Sequence, residues 1–486
     1  MAWREAAGPA RMQRVALVCP TALLRNMLVC VADAGIVEID RMSSEGAVGR
    51  GASEVARGLS AAGGDRVPAP RLCSAAPNLD ELRGDGRADL LAGEAELESY
   101  AHDALVRDDL AALAGWVPAA EVPALARRLA DVGAGVVPIP PPRGLDPPTL
   151  LRRGQGVRQS FTPLVETYGT VPYSDVDPSL LAGIAYVLMF GMMFGDAGHG
   201  ALLLALGLLI RAGRPRRLAR FRTIWLFVVG SGLFAIGFGL LYGEFFGPTG
   251  VIPVLWLSPL EEPVTLLAAA LGVGAVLLAG AQAVGTVNRW REGGWPVALS
   301  ASSGIAGAAL LAGLGLIVLG AAGQRGWLVP VGAVVIAGGV ALTYLGFLAG
   351  SGGGGAGVTQ ASVEVFDAVM RVGTNVVSFA RLAAFGLTHA ALGQIVWDGT
   401  TSLWSSGGLL MLAAAAVFLV GNVLAFGLEA LVAGVQALRL EYYELFSRVF
   451  AGVGRPFHPW QVPTDSTRGF HTGDATTISS GSGRQP

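Results

Sequence analysis

The chain has 486 residues, of which 52% are hydrophobic and only 14% charged, and its formal net charge is -2. Soluble globular proteins carry roughly 25% charged residues, so this composition excludes a wholly soluble chain, and the balanced charge gives no basis for nucleic-acid binding. The chain contains arginine but no lysine, which excludes a phosphate-binding loop that depends on lysine. We therefore expect no nucleotide site and no catalytic residue.

The first 170 residues are predicted to form a small cytoplasmic domain with an α/β unit and a helical arm. Hydrophobic spacing predicts a strand, a helix that Gly35 ends, a second strand and two further helices. These elements cover Arg14–Cys19, Thr21–Ala34, Ile36–Asp40, Leu79–Ala114 and Ala119–Val132. The glycine- and serine-rich stretch 43–77 is typical of a flexible connection. The three cysteines lack metal-ligand spacing, so we expect reduced thiols and no metal site or cofactor.

Eight apolar stretches follow from about residue 180, where a spanning helix needs roughly 20 residues. They cover about 180–195, 198–212, 223–243, 264–287, 297–321, 326–350, 363–397 and 407–447. The first two form one run interrupted at Gly195–His199, which is compatible with a broken pair. The last two exceed the bilayer thickness and are predicted to be tilted or to extend beyond it. The fold class is thus a polytopic α-helical membrane protein, with its channel domain at 171–455 and a disordered tail at 456–486.

Arginine in the loops predicts the orientation of this membrane domain. The loop after the second stretch carries Arg211, Arg214, Arg216, Arg217, Arg220 and Arg222. The alternate loops carry only Arg325 between them, and cytoplasmic loops are the arginine-rich ones. We therefore expect a multi-pass protein of the cell membrane with both termini in the cytoplasm.

Arg381 lies far from either end of an apolar helix, among small residues. A charged side chain at mid-bilayer costs roughly 2.5–3.5 kcal/mol, so such residues usually face a protein interior or water. Ser378 shares its face at 100° per residue. Arginine stays charged and does not relay protons, so it suits a barrier that a carboxylate on a mobile neighbouring helix must pass. A snorkelling or purely structural arginine is the alternative interpretation.

The last stretch carries a polar seam. Asn422, Glu429 and Gln436 recur every seven residues and share a helical face, and Arg439 follows three residues later. Glu429 and Arg439 are about 15 Å apart along the axis and need other partners, which Arg381 or a second subunit could supply. Hydrogen bonding between packed helices is the alternative to a water path.

Five further ionisable residues leave two interpretations open. His389, about 12 Å beyond Arg381, could relay protons or be a satisfied core histidine. Asp196 and His199 could line an outer vestibule, or Asp196 could cap the second span. Glu364 and Asp367 could line an inner vestibule or form an ordinary acidic first helical turn.

Three motifs resemble the V-type/A-type ATPase subunit a (subunit I) family. They are Phe190–Gly200, Ser378–Ala390, and Gly427–Leu431 with Ala437–Glu444. The resemblance covers roughly residues 160–452 and places the family's essential arginine on Arg381. It places the family's histidine on His389, its functional glutamate on Glu429 and its second arginine on Arg439.

The resemblance implies a stator that forms ion half-channels, with protons as the expected ion, against a rotating proteolipid c-ring. It also implies peripheral-stalk subunits, the central stalk and the catalytic sector as partners, besides membrane lipid. The family's long coiled-coil arms have no counterpart of that length here. A secondary ion-coupled transporter is the rival hypothesis, although no internal repeat supports it. A structural assembly subunit without ion flow is a second rival.

Overall fold

The structure is a computed structural model that describes residues 8–40, 69–142, 145–151, 157–213, 216–301, 303–350, 354–449 and 454–465. Most of the predicted connection 43–77 and of the predicted tail lies outside the described residues. The chain divides into two compact units. The α/β unit comprises residues 10–148 and 456–486, and the membrane unit comprises residues 1–9 and 149–455.

The α/β unit is built on an antiparallel sheet, whose strands are β1 Met12–Pro20, β2 Glu38–Ile39, β4 Leu105–Arg107, β5 Leu110–Pro118 and β6 Gly135–Pro138. Their order in the sheet is β2-β5-β1-β6, and β4 also pairs with β5. Its helices are α1 Leu24–Ala34, after a 3-10 turn at Thr21–Leu23, α2 Leu79–Gly84, α3 Ala88–His102 and α4 Val122–Asp131. Gly35 ends α1 with a left-handed φ of 61°, as the sequence predicts.

The predicted helix over Leu79–Ala114 is wrong in its last third. The chain leaves α3 at His102 and forms the hairpin β4–β5, which turns at Asp108 with a φ of 52°. Burial alternates along the first half of β5 because its two faces lie on different sides of the sheet. Alanine and leucine dominate both patterns here, so composition does not separate a strand from a helix.

The C-terminal segment returns to the α/β unit. Trp460 and Val462 are buried in its core, and their N–H groups donate to the carbonyls of Val37 and Ala32. Strand β7 (Thr464–Asp465) then pairs in parallel with β3 (Leu72–Cys73). Residues 456–465 therefore do not form part of the predicted disordered tail, because the apolar side chains of Trp460 and Val462 are buried in the core.

The membrane unit consists of helices. After α5 Val157–Tyr168 come α6 Ser179–Met193, α7 Ala197–Ala212, α8 Trp225–Tyr242, α9 Pro263–Ser300, α10 Ile305–Ala322 and α11 Leu328–Gly350. They are followed by α12 Gly354–Ser378, α13 Ala380–Ser405 and α14 Leu410–Leu440. A 3-10 segment, Arg216–Ile224, precedes α8, and a π-turn, Glu441–Phe446, with the short helix Ser447–Val449, follows α14.

Six of the described helical segments are long and apolar enough to cross a membrane. The predicted count of eight is not confirmed, because α6 and α7 have 15 and 16 residues, below the roughly 20 that a span needs. The last two segments, Gly355–Ser405 and Leu410–Val449, do exceed that length. The boundary predicted at 287–297 is a kink inside α9, where Gly294 has a φ of 74° and Pro296 follows.

Glycine lets α7 and α8 pack backbone to backbone. A Cβ on Gly239 would lie 2.2 Å from the Ala197 nitrogen, and one on Gly232 would lie 2.6 Å from the Leu204 nitrogen. Small residues at such contacts are how helices associate where no water drives them together. The close packing fixes the start of α7, which carries two of the predicted site residues.

Candidate functional site

Arg381 follows a break between α12 and α13. Phe379 lies at the break, where its N–H donates to Val376 and its carbonyl accepts from Leu382, both with three-residue spacing. Its ring is fully buried against α9, where a Cβ on Gly274 would lie 2.2 Å from it. The sequence predicts an unbroken helix here. Gly274 provides the space that the ring at the break occupies.

Arg381 lines an open cleft of about 560 Å³, which we call the arginine cleft. Ser378, Val435, Leu438, Arg439, Tyr442, Tyr443 and Glu444 complete its lining. The Nη1 atom of Arg381 is buried with no hydrogen-bond partner in the described part of the chain. Glu444 interacts with Ser378 and attracts both arginines. The helical spacing missed Glu444 as a site residue because it lies on the π-turn, where 100° per residue no longer holds.

A second group of polar side chains, the histidine cluster, lies around His389, eight residues after Arg381 on α13. Four of its members are buried in the membrane unit and two are partly buried, and they come from four segments of the chain. They are Asp196, His199, Glu244, His389, Asn422 and Glu429. The structure thus brings together five of the residues that the sequence singles out, although up to 233 residues of chain separate them.

Glu429 bonds to His389 rather than to either arginine. The carboxylate hydrogen-bonds the Nδ1 atom of His389 across α13 and α14. The Nε2 atom of the same ring lies 3.8 Å from a carboxylate oxygen of Glu244. The partner of Glu429, which the sequence left open, is therefore His389 of the neighbouring helix. The two can meet because α13 and α14 pack side by side at this level.

Asp196 both caps a helix and belongs to the cluster. Its Oδ1 accepts the backbone N–H of His199 at 2.8 Å, which caps α7, and its Oδ2 accepts that of Gly247 at 2.8 Å. The His199 ring lies 3.7 Å from the same carboxylate. Capping and membership of a buried polar site are therefore compatible, since a carboxylate has lone pairs for both.

Glu244 is the member that sequence reasoning missed. It lies directly after α8 in a long connection, where it looks like an ordinary loop charge. The connection folds inward, and Glu244 is buried beside His389. The available signal was the lone acid at the start of an otherwise apolar and glycine-rich stretch, Phe245–Gly250.

A cavity of about 280 Å³ gives access to the His389–Glu429 pair. Apolar side chains form most of its wall, including Met193, Phe385, Leu392, Leu428 and Val432. Leu428 is 63% exposed, so the cavity opens on the outer side of α14.

The remaining predicted residues belong to neither group. Glu364 and Asp367 line a separate cleft of about 540 Å³ with Arg371, Asn375 and Arg448, among others. They are not in a first helical turn, because α12 begins at Gly354, and Asp367 pairs with Arg371 one turn on. The helix thus begins within the glycine-rich run 351–357. The Oε1 atom of Gln436 is buried without a hydrogen bond in the described residues.

One further buried acid lies just outside the spans. Asp175, in the segment before α6, is fully buried, and its Oδ1 accepts from Ser174 at 3.0 Å. Burial, and then the neighbouring Glu292, raise its pKa to about 7. Glu292 in turn pairs with Arg289 at 2.6 Å.

Known proteins resemble this chain over most of its length. The model of the "V-type ATPase 116kDa subunit family" matches residues 103–252. An "A-type ATP synthase subunit I" of Thermococcus kodakarensis is 26% identical over 72% of this chain and 54% of its own length. A protein of the same name from Halobacterium salinarum is 27% identical over 68% of this chain and 53% of its own length.

A "V-type ATP synthase subunit I 2" of Treponema pallidum is 35% identical over 32% of this chain and 35% of its own length. The chain spans about half the length of the first two relatives. The family model covers part of the α/β unit and helices α5 to α8, and it includes Asp196, His199 and Glu244. The chain is a membrane protein whose residues 103–252 match that family model and whose relatives described above are subunits I of A-type and V-type ATP synthases.

Proposed function

We propose that this chain is the membrane stator subunit of a rotary ATPase, in which Arg381 separates two ion half-channels that serve a proteolipid c-ring. The placement of Arg381 carries the proposal. It faces an open cleft at a helix break, and one of its nitrogens is buried without a partner in the described residues. Glu444 attracts this partly buried guanidinium from within the cleft, and under the proposal a passing ring carboxylate supplies a second counter-charge to the unpartnered nitrogen.

The outer face of α14 suits contact with such a ring. Leu424, Leu428, Leu431 and Val435 repeat at helical spacing, and each is more than half exposed. The segment Leu410–Val449 is the least buried of the candidate spans within the unit. An apolar face of this length requires lipid or a partner helix, and the arginine cleft opens beside it.

The two polar groups are the proposed half-channels. The arginine cleft and the histidine cluster are separated by eight residues of α13, about 12 Å. His389, Glu429, Asp196, His199 and Asn422 would serve one side. Ser378, Arg381, Arg439 and Gln436, with the cleft of Glu364 and Asp367, would serve the other. Protons are the expected ion, and the ring's own site decides between H⁺ and Na⁺.

The rest of the chain takes the supporting roles of such a subunit. Arginine in the loops supports a cytoplasmic location for both termini in the cell membrane. The α/β unit is the proposed attachment to the peripheral stalk, beside the central stalk and catalytic sector of the same ATPase. No nucleotide is hydrolysed on this chain under the proposal, so its role is to couple ion flow to rotation.

Replacement of Arg381 in a reconstituted ATPase tests the proposal. With Arg381→Ala we expect the complex to assemble but ATP-driven ion uptake into vesicles to fall to background, because nothing then keeps the half-channels apart. Arg325→Ala is the matched control, since that arginine is exposed between α10 and α11. Vesicles that pump normally with Arg381→Ala would refute the proposal and favour a structural subunit. Solute-coupled uptake without the ATPase would favour a secondary transporter.

A further inference from the structure

The histidine cluster contains three carboxylates and, among the described residues, no arginine that pairs with them. Asp196, Glu244 and Glu429 approach two imidazoles, and within the described residues no arginine forms an ion pair with any of the three acids. Asp196 and Glu244 are buried, and Glu429 is mostly so. Buried carboxylates of this kind take up protons or bind a cation, because isolated negative charge is too costly in a low-dielectric site.

His199 shows where a ligand is missing. Its side chain is 3% exposed, yet neither ring nitrogen has a hydrogen-bond partner in the described part of the chain. Asn422 interacts with the ring through its side chain, while its amide N–H donates to Phe418 of its own helix at 2.9 Å. Asn422 can engage only one of the two ring nitrogens, and a buried polar atom without a partner costs about 1–3 kcal/mol, so the other nitrogen favours an additional ligand.

The donor atoms are spaced for one ion. Asp196, His199 and His389 can each offer an atom within 4.8 Å of the other two. Because Glu429 holds Nδ1 of His389, Nε2 is left free and points to Glu244, 3.8 Å away. A carboxylate behind a ligating histidine is the usual outer-shell arrangement, and two imidazoles with carboxylate oxygen form a donor set that zinc prefers.

We propose that the histidine cluster binds one divalent transition-metal ion of the Zn²⁺ type through Asp196, His199 and His389, with the carboxylate of Glu244 beside the His389 ring. The ion occupies the lone pairs that a migrating proton needs, so it inhibits ion transport. This inhibition rests on the proposed function, whereas the binding itself does not.

Zn²⁺ binding to the purified full-length chain in detergent, measured by competition with a chromogenic chelator, tests the site. We expect one ion per chain and an X-ray absorption spectrum with imidazole and oxygen but no sulfur ligands. His199→Gln and His389→Gln each remove a ligand, so the affinity should fall by more than the roughly 10–100-fold expected for the outer-shell change Glu429→Gln. His102→Gln, at an exposed position of the α/β unit, is the matched control and should bind as the wild type does.

Three results would overturn the site: no stoichiometric binding, sulfur ligands from the cysteines, or unchanged affinity in both histidine variants. Helical content by circular dichroism checks that each variant is folded. If a variant does not fold, the X-ray absorption spectrum of the wild-type chain tests the ligands instead. In vesicles, Zn²⁺ should slow ATP-driven uptake and a chelator should restore it. If Zn²⁺ binds to the chain but the Arg381→Ala variant pumps normally, only the proposed function is rejected. If Zn²⁺ does not bind and the Arg381→Ala variant does not pump, only the metal site is rejected.

Discussion

His389 and Glu429 form the central contact of the histidine cluster. The pair joins α13 to α14, and both side chains are largely withdrawn from solvent. Breaking one partner of such a buried pair leaves the other uncompensated, which costs about 3–5 kcal/mol, whereas replacing both by apolar groups costs far less. Their contribution to stability therefore depends on the pair and not on either residue.

A double-mutant cycle measures this dependence. We expect His389→Leu and Glu429→Leu each to lower the thermal midpoint of the detergent-solubilised chain. The double variant should recover part of that loss, with a coupling of about 0.5–3 kcal/mol. Thr400→Val is the control, because among the described residues the Thr400 hydroxyl donates to Val396 of its own helix α13. A His389–Glu429 cycle as additive as the Thr400–Glu429 cycle would contradict the pairing.

Asp175 predicts a pH dependence of stability. Its folded-state pKa of about 7 lies above its ordinary value of 3.8, so the folded state holds the proton more tightly. The contribution of Asp175 to the free energy of unfolding is therefore fully present below about pH 4 and is lost as the pH rises through 7. Asp175→Asn keeps the uncharged form, so its thermal midpoint should gain on the wild type between pH 5 and pH 8. A constant difference across that range would contradict the prediction.

At the scale of the elements, irregular backbone positions the arginine cleft from both sides. The break at Phe379 precedes Arg381 by two residues, and the π-turn Glu441–Phe446 starts two residues after Arg439. The break depends on Gly274 of α9, which has no side chain where the Phe379 ring lies. A residue that touches no ion can thus set where the arginine points.

Substitution of Gly274 tests that dependence. Gly274→Val places a side chain in the Phe379 ring, so we expect Arg381 to shift and ATP-driven transport to fall by on the order of 10-fold or more. Gly272→Val is the matched control, because it makes the same change on the same helix where nothing lies within 4 Å. Equal transport by the two variants, in complexes assembled to the same extent, would show that the ring's position does not matter.

Some elements of the structure can be predicted from the sequence and others cannot. The long apolar runs predict the helical segments from α8 to α14, although not the division between α12 and α13, because hydrocarbon-length stretches need no tertiary information. The break at Phe379 has no proline or glycine of its own to signal it. The ring at the break is accommodated by Gly274, which lies 105 residues earlier in the chain. Glu244 could not be placed beside His389 from spacing, because that contact depends on how a loop folds inward.

At the scale of the whole molecule, the chain contributes to the α/β unit from both of its ends. Trp460 packs on Tyr100 with ring centroids 4.5 Å apart, and Asp465 bonds to Arg87 at 3.1 Å. Cys19 belongs to the same core and is 1% exposed. The order of this core therefore depends on residues that come after the last membrane helix.

Two truncations test that dependence. Removal of residues 456–486 takes away Trp460, and losing a buried side chain of that size costs about 3–5 kcal/mol. We therefore expect maleimide to label Cys19 much faster in that variant, as measured by mass spectrometry of the labelled peptide. Removal of residues 466–486 is the control and should leave the rate near that of the wild type. Equal labelling of Cys19 in both would place the stabilising contacts elsewhere.

The gap between the arginine cleft and the histidine cluster has a consequence for the chain on its own. Leu382 and Ala383 are buried along the 12 Å of α13 that separates them. Under the proposed function this buried part of the interval insulates one half-channel from the other, since an unaccompanied charge would have to shed its hydration to traverse it. Liposomes that contain this chain without a rotor should hold a voltage without leaking.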